Sequence, residues 1–423
     1  MAMTMRKRAT TGVLTSLYVA AISAMAEPPI LSAQDAEVHT VLEAHLRPFT
    51  IDASGLHGTG GDWLIDRARG ARFTLIGESH LTAETPLFVS GLLEALRPAG
   101  YSTYILETGP ESTRLLMEAV AAGGVAAGEA FFAEFPSSLV FVDHREELQV
   151  VAEARGLGYD VWGVDQEFIG SPRLLLNRLR ELSTDAAARE VVQRMLEGEI
   201  AVSDQSLRTG DWSSAFMLTA GSQEFDALEA AFPVQASEAG RIVQQLRASA
   251  WTYQLWVGGR PPHYESNAER VDLIKRNFLA HLLRAGETPL SDRRALIKMG
   301  DVHVGRGRSP TYQYDLGNFA AELAVAGNSE SFHVLVRAAG SIGPDGTFNS
   351  SRDALPYLGP TIEFAAEDHP VVFDLEPLRS VLTQRDDKTR DLQQLEDVAL
   401  RYDALVLFPR YHRATCSVTT WLC

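Results

Sequence analysis

From residue 73 onward, short apolar runs alternate with longer stretches of helical periodicity. The runs Phe73 to Gly77, Tyr104 to Glu107, Val161 to Asp165, Ala295 to Met299, His333 to Ala338 and Ala404 to Pro409 are rich in β-branched or aromatic residues. Several are apolar throughout, the mark of parallel strands covered on both faces. Between the first two, Thr85 can cap a helix, Pro86 can take its first turn, and Arg97-Pro98-Ala99-Gly100 can end it. Asp143 to Arg155 reads as the next crossover helix, closed by Gly156 and Gly158. The alternation predicts an α/β fold with a mostly parallel central sheet and flanking helices.

The third and fourth strands lie too far apart for a single crossover. Helical patterns at Pro172 to Leu182, Asp185 to Leu196, Gln223 to Phe232 and Ala236 to Trp256 fill the interval, with Ser266 to Arg284 after them. Residues 172–285 are therefore expected to form a helical cap inserted into the α/β body. The cap carries Trp212, Phe216, Trp251, Tyr253 and Trp256. These read either as cap core or as the wall of an apolar cleft. Gly55-Leu56-His57-Gly58-Thr59-Gly60-Gly61 reads as a flexible lead-in to a short helix at Asp62 to Arg69. With no strand before it, this loop is no dinucleotide fingerprint.

Composition narrows the reading. The 423 residues carry 45% apolar side chains, which excludes disorder, and a formal charge of −17, which disfavours nucleic acid. The one basic run, Arg6-Lys7-Arg8, precedes an apolar stretch to Ala24 and a small-x-small site at Ala24-Met25-Ala26. Residues 1–26 are read as a signal peptide, so the expectation is export to the periplasm or the medium. Its loss removes three basic and no acidic residues, taking the charge from −17 to −20. The mature chain, 27–423, is expected to have no stable membrane span, since no later segment reads as long and apolar enough. Cys416 and Cys423 can close a small terminal loop in an oxidising compartment. A small-molecule substrate is the expected partner.

In open α/β sheets ligands bind beyond the carboxyl ends of the strands. Those ends carry Glu78, Ser79 and His80, with Glu84 beyond; Glu107; Asp165, Gln166 and Glu167; and Asp301 with His303. Four ends therefore deliver acids, histidines or both to one edge, although any single acid could be an ordinary helix cap. Gly77-Glu78-Ser79-His80-Leu81 lacks the last glycine of a nucleophile elbow. The chain has no zinc helix of the His-Glu-x-x-His type, no Walker phosphate loop and no Cys-x-x-Cys. What remains is water activated by a histidine between carboxylates, or by a divalent ion on the same groups. On the helix Ser266 to Arg284, Asn277 and His281 fall within about 20° of Arg270, beside Ile274, a polar stripe read as facing inward.

Taken in order, these pieces resemble the erythromycin esterase family: Leu75 to His80 with Glu84, Gly100-Tyr101 leading to Glu107, Gly158-Tyr159 leading to Asp165-Gln166, Arg270 with Asn277, Met299 to Val304, Leu316-Gly317, and Tyr402 to Val406. The resemblance implies an α/β core with a helical lobe and a histidine-assisted attack of water on a lactone. It casts His80 as general base, Glu78 and Glu107 as the carboxylates around it, His303 as a second site histidine, and Arg270 with Asn277 as the cleft-facing helix. Glu84, Asp165 and Asp301 are expected to bind substrate. Here Ser79 alone separates Glu78 from His80 and Leu81 follows, a spacing closer to the haem-binding uptake and Tiki relatives of the wider superfamily.

The expectation is an exported hydrolase of an ester, lactone or related acyl bond that requires no cofactor. Two alternatives stand beside it. One is a metal-dependent hydrolase or peptidase with Glu78, His80, Glu107 and His303 as ligands to Zn or Mn. The other is a haem or lipid carrier without chemistry.

Overall fold

The register of one sheet decides where the chemistry can sit. A computed structural model describes residues 33–284, 292–386 and 388–417; the segment 1–26, expected to be a signal peptide, and Cys423 lie outside the described residues. Eight strands form the sheet: β1 (Leu46–Pro48), β2 (Phe73–Glu78), β3 (Tyr101–Leu106), β4 (Asp160–Gly163), β5 (Arg294–Gly300), β6 (Ser331–Ala338), β7 (Val371–Asp374) and β8 (Ala404–Phe408). Their order is β1-β7-β8-β6-β2-β5-β3-β4. Neighbours from β8 to β4 pair in parallel, while β7 runs antiparallel to β8 and β1 antiparallel to β7. All six expected strands are present, in the predicted α/β arrangement. The two strands at one end of the sheet, β1 and β7, add to the expectation; at three and four residues they are too short to show a period.

Both faces of the sheet are dry. Ile76, Tyr104, Leu296 and Val334 point to one face, under the helices Glu84–Leu96 and Arg145–Gly156. Leu75, Ile105, Ile297 and Leu335 point to the other, against Ile274, Phe278 and the C-terminal helices. This two-sided burial explains why the strands read as continuous apolar runs.

Between β4 and β5 the chain makes helices Pro172–Leu182, Ala186–Thr209, Phe216–Thr219, Ser222–Ala231, Glu238–Gly258 and Tyr264–Arg284. They hold a separate hydrophobic cluster built on Leu175, Leu179, Val192, Leu196, Leu228, Ile242 and Leu246. The second helix runs to Thr209, beyond the expected Leu196, and stops at Gly210 in the left-handed conformation (φ 74°). Of the cap aromatics, Phe216 joins this core, whereas Trp251 and Trp256 are more than half exposed.

Two expectations are corrected. The glycine-rich stretch 55–61 is ordered: Gly55–His57 pairs with Thr50–Asp52, and Gly58 opens the helix Gly58–Gly70. A side chain at Gly60 would come within 2.7 Å of the Arg47 carbonyl, so this glycine serves close approach. The second correction concerns Pro110–Glu134, an unanticipated helix that is long and apolar enough to cross a membrane by length and composition. Gly123 and Gly124 depart from helical geometry in its middle, leaving two halves each shorter than the roughly 20 residues a span requires.

Candidate active site

Parallel pairing sets Glu78 beside Gly300 and Leu106 level with both Lys298 and Gly163. Glu107, one residue past β3, and Asp165, two past β4, therefore arrive at the height where β2 ends. The Glu107 carboxylate is the meeting point. Its Oε2 accepts from the Gly300 amide at 2.5 Å and lies 3.3 Å from His80 Nε2; its Oε1 accepts from Arg270 Nη2 at 2.7 Å and lies 3.4 Å from His303 Nε2. Arg270 also grips Asp165 through two bonds, of 2.9 and 2.5 Å. Behind His303, Asp315 Oδ2 contacts Nδ1 at 2.9 Å.

Exposure separates the roles. The side chains of His80 and Arg270 keep 24% and 23% of their accessible surface, while those of Glu78, Glu107, Asp165 and His303 keep 5% or less. The histidine and the arginine thus face the opening, each fixed to a different oxygen of one buried carboxylate. Burial opposes charge on His80, yet Glu107 and Glu78 outweigh it and raise the imidazole to about 9. For His303 burial is likewise overcome, by Asp315 and Glu107, to about 10. Against the pull of burial, His303 and His80 hold Glu107 well below the usual carboxylate range.

On its other side His80 is anchored by Glu78 Oε1, 2.9 Å from Nδ1. That same oxygen accepts from Lys298 Nζ at 2.7 Å, and the ammonium reaches Glu147 Oε1 at 2.7 Å. One lysine serves two buried acids. Lys298 and His80 overcome burial to keep Glu78 ionised, whereas burial, with the like charge of Glu78, outweighs the shared ammonium at Glu147 and raises it to about 7. Phe141 stacks on the His80 ring at 3.8 Å and 10°. The residue after His80, Leu81, sits at φ 65°, a conformation uncommon for a side-chain-bearing residue, and its carbonyl accepts from the Ala414 amide at 2.9 Å.

Glu78, His80, Glu107, Asp165, Arg270 and His303 therefore meet in one network. Glu84, Asn277 and Asp301 do not join it. Glu84 accepts from His412 in the C-terminal segment, and Asp301 pairs with Arg337. Asn277 donates to the Val164 carbonyl at 3.0 Å and accepts from Gln245 at 2.9 Å, which steadies the turn that presents Asp165. Glu167 accepts from the Ser112 hydroxyl and the Glu111 amide, capping the helix Pro110–Glu134. His281 stacks on Trp162, where burial and Arg284 lower it to about 4. Four contributors escaped the sequence reading: Phe141, Glu147, Lys298 and Asp315. Only Lys298 carries a signal, as a lone cation within an apolar strand. Among the described residues, no group of three or more His, Cys, Asp or Glu side chains is arranged to hold a metal ion. Cys416 is disulfide-bonded.

No protein-family model matches the chain, and no curated protein matches it by sequence. Solved structures do match. A mutant of the erythromycin esterase EreC in its open conformation is similar at 13% identity and a TM-score of 0.59, over 88% of this chain and 99% of that one. A succinoglycan biosynthesis protein is similar at 9% identity and a TM-score of 0.56, over 91% and 99%. A Bacillus cereus protein is similar at 13% and 0.55, over 90% and 99%. The chain thus has the erythromycin-esterase-like fold across nearly its whole described length.

Removing the lysine should leave two carboxylates buried on the dry side of β5. Lys298→Met is expected to lose about 3–5 kcal/mol of stability, measured by urea unfolding. A loss below about 1 kcal/mol would mean that the ammonium does not hold Glu78 and Glu147 together.

Proposed function

We propose that the protein is an exported hydrolase that cleaves an ester, lactone or related acyl bond by histidine-assisted attack of water. The reading rests on one observation: His80 and Arg270, the solvent-facing members of the network, are held on opposite oxygens of Glu107. Neutral His80 takes a proton from water at Nε2 while Glu78 holds Nδ1 as the donor. The resulting hydroxide adds to the carbonyl carbon, and Arg270 stabilises the charge that develops on the carbonyl oxygen. Collapse of the adduct breaks the bond to the leaving oxygen, which receives the proton back from His80. Buried behind Glu107, His303 with Asp315 positions that carboxylate and does not meet the substrate.

The carboxylates named as metal ligands already have partners. A divalent ion on Glu107 would compete with Arg270 and the Gly300 amide, and one on Glu78 Oε1 would compete with Lys298. The metal-free mechanism is therefore preferred. Activity found in a screen of esters, lactones and peptides should persist after dialysis against EDTA; abolition by the chelator and rescue by Zn or Mn would establish the metal reading instead.

His80→Ala should lower turnover by about 10²- to 10⁴-fold with unchanged circular dichroism. Undiminished turnover would remove His80 from the chemistry. The pH profile follows from the same geometry. Two carboxylates keep His80 protonated at neutral pH, and only the neutral imidazole can act as base, so kcat/KM should climb with pH and level off through about 9. A profile already flat from pH 6 upward would contradict a base held between Glu78 and Glu107.

A further inference from the structure

A cavity of about 300 Å³ opens beside Arg270, with Phe168, Ile169, Trp212, Tyr253 and Trp256 among its walls. Its volume, roughly ten waters at about 30 Å³ each, is at the lower end of small-molecule sites and suits one ring. An aromatic surface continues from it to the catalytic histidine: Phe168 packs edge-on against Phe141 at 5.6 Å, and Phe141 stacks on His80.

The polar groups of the wall are spent on the protein. The Ser266 and Thr252 hydroxyls donate to the Thr252 and Ala248 carbonyls, and the Asn267 amide donates to the Pro262 carbonyl. Gln166 Oε1 and Trp212 Nε1 have essentially no accessible surface, so they present nothing to a ligand. Among the described residues that line the cavity, Arg270 alone is charged, and it is already set against Asp165 and Glu107. A charged group entering here would lose its water without finding a free counter-ion, whereas an aryl ring gains stacked and edge contacts.

The roles of His80 and Arg270 decide which side of an ester enters. His80 takes a proton from the attacking water and returns it to the leaving oxygen, so both of those oxygens lie on the histidine side of the carbonyl carbon. The carbonyl oxygen turns to Arg270. The fourth substituent, the acyl group, points away from the histidine, and the space on that side is the cavity that Arg270 lines and His80 does not.

We propose that this cavity receives the acyl group of the substrate, and that the substrate class is neutral esters of small carboxylic acids carrying one aryl ring. The assignment rests on the hydrolase reading above and is tested separately from it. The purified full chain is assayed with methyl phenylacetate, methyl acetate, the methyl monoester of glutaric acid, and benzyl acetate, an isomer of methyl phenylacetate with the ring on the alcohol side. Methyl phenylacetate should exceed each of the others in kcat/KM by at least about tenfold. Trp256 is more than half exposed, so Trp256→Ala leaves the core closed; it should cut the preference for methyl phenylacetate over methyl acetate by about threefold or more. Equal or faster turnover of methyl acetate, benzyl acetate or the charged monoester, or an undiminished preference in Trp256→Ala, would overturn the assignment.

Calorimetric titration with phenylacetamide and acetamide reads the cavity without turnover. Tighter binding of phenylacetamide, weakened in Trp256→Ala, by a protein that hydrolyses no ester would retain the aryl cavity and remove the hydrolase reading. Ester turnover indifferent to the aryl acyl group would do the reverse, and failure of phenylacetamide to bind would overturn the cavity assignment outright.

Discussion

A single buried carboxylate organises the reacting edge of this molecule. Glu107 takes a backbone amide, an arginine and two histidines from three different stretches of chain, and each would be differently placed without it. Such a group is costly to bury alone, and its cations are costly to bury without it. The assembly is therefore all or nothing: the donors hold Glu107 ionised, and Glu107 holds the donors in position. The same mutual dependence recurs one layer back, where Lys298 joins Glu78 to Glu147.

The fold matters to this chemistry through register more than through overall shape. Parallel strands covered on both faces end at a common height, so the acid that ends β2 and those one or two residues past β3 and β4 converge without any long loop to carry them. Gly300 has no side chain, and that lets the edge close: a Cβ there would lie 2.9 Å from His80 Nε2 and 3.2 Å from Glu107 Oε2. The helix Tyr264–Arg284 then brings Arg270 across from the cap, linking the cap to the sheet through two carboxylates.

Much of this was legible in the chain. Continuous apolar runs announced the parallel strands, and acids following them marked the reacting edge, because strand period and strand-end chemistry are local properties. Arg270 was legible for a similar reason, through helical spacing alone. Glu84, Asn277 and Asp301 looked equivalent to their neighbours, yet His412, Gln245 and Arg337 claim them, partners remote in sequence that only the folded chain reveals. Asp315 was silent because an aspartate before a helix is an ordinary cap, and it does cap Leu316 while also supporting His303. Tryptophans at helical spacing suggested a packed cap, but leucines fill that core and free Trp212 and Trp256 to line a cavity.

The acidity that first argued against nucleic acid thus has a partly local meaning: some of the excess carboxylates exist to hold cations at a reacting edge. That Glu107 sets the protonation of both histidines can be tested without a substrate. Imidazole resonances of His80 and His303 are followed by NMR across pH in the wild type and in Glu107→Gln. Loss of the shared negative charge should move both titrations down from about 9 and about 10 toward the ordinary value near 6.5. Titrations that stay in place in the glutamine variant would contradict a site built on Glu107.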